Sequence, residues 1–180
     1  FIREEGSGDN PKPLLISHGW PGSVYEFIDV IDRLAHPENY GGDAQDGVTV
    51  ICPSLPGYGF SDMPPRPIGQ VTTAVLWDKL MVEVLGFKSY IAQGGDWGSV
   101  VTSLIGLNHS VSKGGGCSAI HINMYGLRAN AEPETEEENR WMAETQAVIQ
   151  AESAYLQLQM TKPQTLLYAM QESPVGAAAW

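Results

Sequence analysis

The sequence predicts an α/β protein: a mostly parallel sheet with helices on both faces, followed by a layer that is helical only. Short apolar runs at residues 14–17, 48–52, 90–92 and 119–124 alternate with segments whose apolar residues recur at helical spacing. Glycine- and proline-rich turns close the first three runs, and β-branched apolar runs cease after about Gly126.

Leu14-Leu15-Ile16-Ser17 reads as a buried strand stopped by His18-Gly19-Trp20-Pro21-Gly22. Ser23 and Glu26 then form a capping box, and Val24, Phe27, Ile28, Ile31 and Leu34 define an inward helix face. Residues 40–47 are a Gly/Asp loop. Val48–Cys52 is a second buried strand, broken by Pro53 and Pro56-Gly57-Tyr58-Gly59. The next helix is expected from about Thr73, with Trp77, Leu80, Met81, Val84 and Leu85 inward and Gly86 as its left-handed terminus. Tyr90-Ile91-Ala92 runs directly into Gly94-Gly95-Asp96-Trp97-Gly98 and a helix carrying Val100, Val101, Leu104 and Ile105. Residues 119–124 are the fourth strand, and such alternation implies parallel pairing. Beyond it, Thr135 with Glu138, Thr161-Lys162-Pro163 and Ser173-Pro174 are helix starts. The expected division is 1–125 for the sheet unit and 126–180 for the helical one.

With 43% hydrophobic and 17% charged residues, 180 residues can bury a core. The formal net charge of -11 opposes binding to nucleic acid or anionic membrane. Much of it lies in Glu132, Glu134, Glu136, Glu137, Glu138 and Glu144, read as a solvated helix start. Cys52 and Cys117 sit among apolar or small residues, where a reduced thiol behaves as a small hydrophobe. The first residues lack the pattern of a signal peptide, and no run approaches the ~20 apolar residues of a membrane span. A cytoplasmic location, or one peripheral to an internal membrane, is the expectation.

Gly94-Gly95-Asp96-Trp97-Gly98, between strand and helix, has the small-x-nucleophile-x-small form of a nucleophile elbow, with aspartate where ester hydrolases place serine. Asp96 alone is equally readable as a helix N-cap after a glycine turn. His18-Gly19-Trp20-Pro21 decides between them, because it ends an earlier strand at the same sheet edge and brings a second backbone N–H beside the elbow. The amides of Trp20 and Trp97 then form an oxyanion hole, with His18, Gly19, Pro21, Gly94, Gly95 and Gly98 supporting the two turns. His18 itself is read as structural, through ring hydrogen bonds.

With these motifs, Cys52-Pro53-Ser54-Leu55-Pro56-Gly57-Tyr58-Gly59-Phe60-Ser61, His121-Ile122-Asn123-Met124, Thr161-Lys162-Pro163-Gln164-Thr165 and Ser173-Pro174-Val175-Gly176 make nearly the whole chain resemble the epoxide hydrolases of the α/β-hydrolase fold, in their microsomal-type branch. The resemblance implies a first half of the hydrolase core and the start of a helical lid, incomplete at both ends. It implies Asp96 as nucleophile, Trp20 and Trp97 as oxyanion-hole amides, and Tyr155 as a lid tyrosine that hydrogen-bonds the epoxide oxygen and donates a proton. An ordinary carboxylate of pKa ~4 is ionised at neutral pH and can attack an epoxide carbon unaided, while a phenol of pKa ~10 still carries its proton. The substrate is then a small apolar epoxide plus water, the product a diol, and the setting detoxification or aromatic-hydrocarbon catabolism. The family's water-activating histidine and its acid follow the lid, so neither is assigned to a residue of this chain. Some members of the branch carry an N-terminal membrane anchor, which this chain does not contain.

No cofactor is expected. His18, His36, His109 and His121 show no metal-ligand spacing, so no metal is expected either. A haloalkane dehalogenase, which also resembles this chain in its Asp-Trp elbow, and a noncatalytic ligand-binding module of the same fold are the alternatives. For Tyr155 the alternative is a buried lid aromatic near Trp141 and Leu158.

Overall fold

The computed structural model describes residues 1–125 and 132–180, so the expected boundary at 125/126 adjoins residues outside the described ones. The chain divides into two compact units, Phe1–Arg128 and Ala129–Trp180.

In the first unit the strands are β1 (Ile2–Glu4), β2 (Lys12–Ser17), β3 (Val48–Cys52), β4 (Tyr90–Gly94) and β5 (Cys117–Ile122), and the helices are α1 (Ile28–Ala35), α2 (Gln70–Lys79) and α3 (Trp97–Asn108). The sheet order is β1-β3-β2-β4-β5, parallel from β3 to β5 as the alternation implies. β1 pairs antiparallel with β3, a strand too short for sequence periodicity to reveal. β5 starts and ends two residues before the expected span, leaving Asn123 and Met124 beyond its C-terminal end.

Side chains alternate across each strand. Leu15 and Ile51 join Ala74, Trp77, Met81, Val101 and Ile105 in the core beneath α2 and α3. Ile16, Val50 and Cys52 point the other way, onto Ile31 of α1. Cys52 and Cys117 are both free and buried, and burial pushes the Cys52 thiol up to about 12.

Two helix faces differ from expectation for one reason, a local change of helical pitch. The Ser23–Glu26 capping box is present, but it opens a 3₁₀ turn, Val24–Phe27, before α1. That tighter turn advances about 120° per residue, so the inward face is not continuous: Ile31 and Ala35 are buried while Ile28 is 48% exposed. The second helix begins at Gln70 and passes into a π-helical turn, Leu80–Val84. The wider turn keeps Trp77 and Met81 buried but carries Val84 outward, 71% exposed. Gly86 closes it at φ 75°, as expected.

Side-chain bonds pin the sheet at both ends. Trp77 Nε1 donates to Ser17 Oγ (3.1 Å), and His18 bonds across to Leu55 in the loop after β3. At the opposite ends of the strands, Asp78 accepts from the Tyr90 hydroxyl (2.8 Å) and the Gly116 amide (3.1 Å), beside a register shift between Tyr90 and Ile91. Along β5, the last strand in the sheet order, residues 118–121 are exposed.

The second unit contains α4 (Glu136–Glu152), α5 (Ala154–Thr161), α6 (Pro163–Glu172) and α7 (Pro174–Ala179). The Thr135–Glu138 capping box, Pro163 at the start of α6 and Ser173 capping α7 all match the sequence reading. No described residue of this unit is buried. Tyr155 is 52% exposed, Trp141 58% and Leu158 39%, so the alternative of a buried lid aromatic near Trp141 and Leu158 is corrected: none of the three is buried. No helix among the described residues is long and apolar enough to cross a membrane.

His36, at the end of α1, bonds Glu4 through Nε2 (3.0 Å) and Ser7 through Nδ1 (2.8 Å), tying the first strand to the helix. The Glu4 hydrogen bond holds its pKa above the ordinary 6.5, aided by the charges of Glu4, Asp32 and Glu38. A raised folded-state value means this clasp stabilises fully below pH 6.5 and is lost as pH rises through the raised value. Urea denaturation of wild type and His36→Gln should therefore give a stability gap that is widest below pH 6.5 and narrows as pH rises above it. In the core, Met81→Ala should cost about 2–5 kcal/mol in the same assay.

Candidate active site

Ser17 pairs with Gly94 in the parallel β2–β4 ladder, so the turns that follow them meet at one edge of the sheet. Close packing there demands glycine. A Cβ on Gly98 would overlap the Ser17 carbonyl, one on Gly94 the Gly98 carbonyl, and one on Gly19 the Asp96 carboxylate. Gly95 faces the Asn123 side chain, where a Cβ would stand 2.7 Å from Oδ1.

Asp96 occupies the tip of the β4–α3 turn at φ 48°, ψ -125°, and it is the one non-glycine residue with positive φ among the described residues. Such a conformation costs of order 1–3 kcal/mol, which the surrounding packing sustains. It is the strained strand-to-helix turn of an elbow, and the Asp96 side chain makes no N-cap bond to α3. The simple capping reading of this aspartate therefore fails.

The Trp20 amide donates to Asp96 Oδ1 at 2.6 Å. Trp97 is the first residue of α3, so its N–H has no intrahelical acceptor, and the turn presents it at the N-terminal end of the helix. Trp20 is joined to Pro21 by a cis peptide. His18 is buried, with Nδ1 on the Gly19 carbonyl (3.0 Å) and Nε2 accepting from the Leu55 amide (3.0 Å). Both ring nitrogens are thus engaged by the backbone, as the structural reading of His18 expects. Tyr155 lies in the helical unit, on α5.

The turns border a cleft of ≈ 540 Å³. Its walls include side chains that the sequence reading did not assign to the site. Asn123 arrives from beyond β5 and Gln93 from the end of β4. Glu26 also lines it; its Oε1 accepts from the Ser23 amide (3.1 Å) and lies against Gly22, where a Cβ would overlap it. Tyr58 packs its ring on His18 (5.4 Å between centroids) and edge-on to Trp20 (5.9 Å). Burial, and then the Asp96 charge, hold the Tyr58 phenol above the usual tyrosine range. For Asn123 the available signal was its position just after a strand at the sheet edge that carries both motifs. Glu26 was already accounted for as a capping residue, which hid its second position.

This arrangement fixes one carboxylate oxygen of Asp96 by a backbone donor. The strain at Asp96 is measurable. Asp96→Ala and Asp96→Gly both delete the carboxylate and differ by a Cβ, so at φ 48° the glycine variant should be more stable by roughly 1–2 kcal/mol, reversing the usual order. Gly98→Ala should lose about 1–3 kcal/mol, read as a lowered urea midpoint.

A family model for the alpha/beta hydrolase fold matches residues 12–142. The chain is 42% identical over 184 residues to a Stigmatella aurantiaca protein named as a proposed epoxide hydrolase, covering 100% of this chain and 41% of that protein. It is 37% identical over 188 residues to epoxide hydrolase 1 of Sus scrofa, covering 97% and 41% respectively. The crystal structure of juvenile hormone epoxide hydrolase from the silkworm Bombyx mori superposes with a TM-score of 0.72 at 31% identity, covering 97% of this chain and 44% of that one. The chain thus spans about two fifths of the length of the curated relatives it matches. With the elbow, the doubly paired turns and the strand order already described, the chain belongs to the alpha/beta hydrolase fold family.

Proposed function

We propose that this chain carries the nucleophilic half of an epoxide hydrolase site, with Asp96 as nucleophile. The observation that carries this reading is the Asp96 carboxylate on a strained elbow with Oδ1 held by the Trp20 amide at 2.6 Å. Oδ1 is committed to that donor, so Oδ2 is the attacking atom. Its lone pair forms a bond to an epoxide carbon, the ring C–O bond breaks, and the epoxide oxygen takes a proton from the Tyr155 phenol. The product is a hydroxyalkyl ester of Asp96.

In that ester Oδ1 is the carbonyl oxygen and already faces the Trp20 N–H. Attack of water on Cγ drives negative charge onto Oδ1, where each backbone donor, Trp20 and Trp97, is worth about 3–4 kcal/mol in the transition state. A carboxylate suits this two-step route because it needs no base for the first attack. The names of the relatives support an epoxide as the electrophile. No histidine of the chain is assigned as the base: His18 is engaged on both nitrogens, His36 is held by Glu4 and Ser7, His109 faces Asp78 (3.6 Å) at the end of the strands opposite Asp96, and His121 lies on β5, before the helical unit.

Exposure to styrene oxide followed by acid quench and intact-mass spectrometry tests the proposal. An adduct of one epoxide mass on the wild-type chain, absent from Asp96→Asn, is the expected outcome. Release of halide from a haloalkyl substrate, without diol from the epoxide, would favour a dehalogenase instead. Reversible binding with no adduct would favour a noncatalytic module.

A further inference from the structure

We infer that Tyr58 is a positioning residue of the Asp96 site: its ring clamps the turn after β2 and so keeps the Trp20 N–H on Asp96 Oδ1. The consequence for catalysis rests on the epoxide reading above; the clamp itself does not.

The loop around Tyr58 is shaped to present this one side chain. Gly57 and Gly59 flank it, both at positive φ (83° and 51°). A Cβ on Gly59 would stand 2.9 Å from Ser54 Oγ, so the loop closes on itself more tightly than a larger residue allows. Hydrogen bonds hold it shut. The Tyr58 amide donates to the Leu55 carbonyl (2.9 Å), the Ser61 amide to the Tyr58 carbonyl (2.9 Å) and the Ser61 hydroxyl to the Ser54 carbonyl (2.6 Å). The Leu55 amide in turn donates to His18 Nε2 (3.0 Å), which joins this loop to the turn after β2.

That turn lacks a polar anchor for its indole. Trp20 Nε1 is buried and makes no hydrogen bond to any described residue, so packing is what orients the side chain. Tyr58 supplies packing, with its ring at 87° to the indole plane and 5.9 Å between centroids, while the same ring lies tilted against His18 at 5.4 Å. The ring therefore contacts the residues on both sides of Gly19, the glycine that packs on the Asp96 carboxylate. Tyr58 also borders a hollow of ≈ 100 Å³ together with Trp97, the other proposed amide donor. Its closeness to the acid registers electrically, since the Asp96 charge adds to burial in holding the phenol above the usual tyrosine range. Without the ring the Trp20 backbone is released, and a carboxylate whose Oδ1 is no longer fixed rotates about Cβ–Cγ away from the attack geometry.

Tyr58→Leu and Tyr58→Met remove the ring and keep an apolar side chain; they differ in shape, and one that folds suffices. Tyr58→Phe keeps the ring and removes the hydroxyl. The first readout is the Trp20 amide proton in ¹H–¹⁵N NMR spectra of the full chain, a resonance set downfield by its bond to the carboxylate and identified by its shift in Asp96→Asn. It should move upfield in the ringless variants and stay in place in Tyr58→Phe. The second is rapid-quench mass spectrometry with styrene oxide. Ester formation at saturating epoxide should be on the order of 10²-fold slower without the ring, at an unchanged half-saturating concentration, and restored in Tyr58→Phe. A ringless variant with a lowered melting temperature but an unmoved Trp20 resonance would overturn the clamp, as would a Tyr58→Phe shift as large as that of Tyr58→Leu. Ester formation at the wild-type rate without the ring would overturn the positioning role. A Trp20 resonance that responds as expected in a chain that forms no ester would uphold the clamp and overturn the epoxide reading instead.

Discussion

The site hangs on a steric constraint, the contact between two backbones at the ends of β2 and β4. Residues 94–98 turn back so tightly that Gly98 lies on the carbonyl of Ser17, in the neighbouring strand, and Gly94 on the carbonyl of Gly98. Only residues without a Cβ permit that approach. Its consequence is the positive φ of Asp96, since a turn this sharp between a strand and a helix has no alternative path for its apex. The strain is held by the sheet: β4 is paired on both sides, and α3 packs across β2, β4 and β5. Asp96 is therefore aimed by the framework, with its Oδ1 held by the Trp20 amide.

The same constraint explains why so much of the site was legible. Small residues around an aspartate, between an apolar run and a helical period, describe the elbow in local sequence alone. His18-Gly19-Trp20-Pro21 is legible for a similar reason, because its meaning depends only on which strand it ends. Glu26, Asn123 and Tyr58 depend on tertiary approach. Each performs a recognisable local task, as cap, strand exit or loop aromatic, and nothing in residue spacing reveals that they converge. The fold reading went astray in the same physical way. Core faces were projected on a uniform period of 3.6, and the 3₁₀ turn before α1 and the π turn after α2 each alter that period where packing favours it.

The two units differ in what organises them. The sheet unit has cores on both faces of a paired framework, with Trp77, Tyr90 and His18 bonded across elements. The helical unit is specified by its ends: capping boxes, prolines at first turns and a serine cap define where each helix begins. That is why its elements were predictable while its side chains, Tyr155 among them, carry no burial signature.

The bridge from Asp78 to Tyr90 and Gly116 lies at the far end of the strands from Asp96, yet it acts on the site as the zero mark of a ruler does on a distant reading. β4 and β5 are indexed against each other at the Tyr90/Ile91 irregularity, and from there the ladder counts off to Gly94 opposite Ile122. Asn123 meets Gly95 because of where that count begins. A slip of one residue at the bridge would displace Asn123 by about 3.3 Å along the strand and turn alternate side chains to the opposite face. The alignment of the cleft wall is thus set by an aspartate that never touches it, and errors made at one end of the sheet are delivered undiminished to the other.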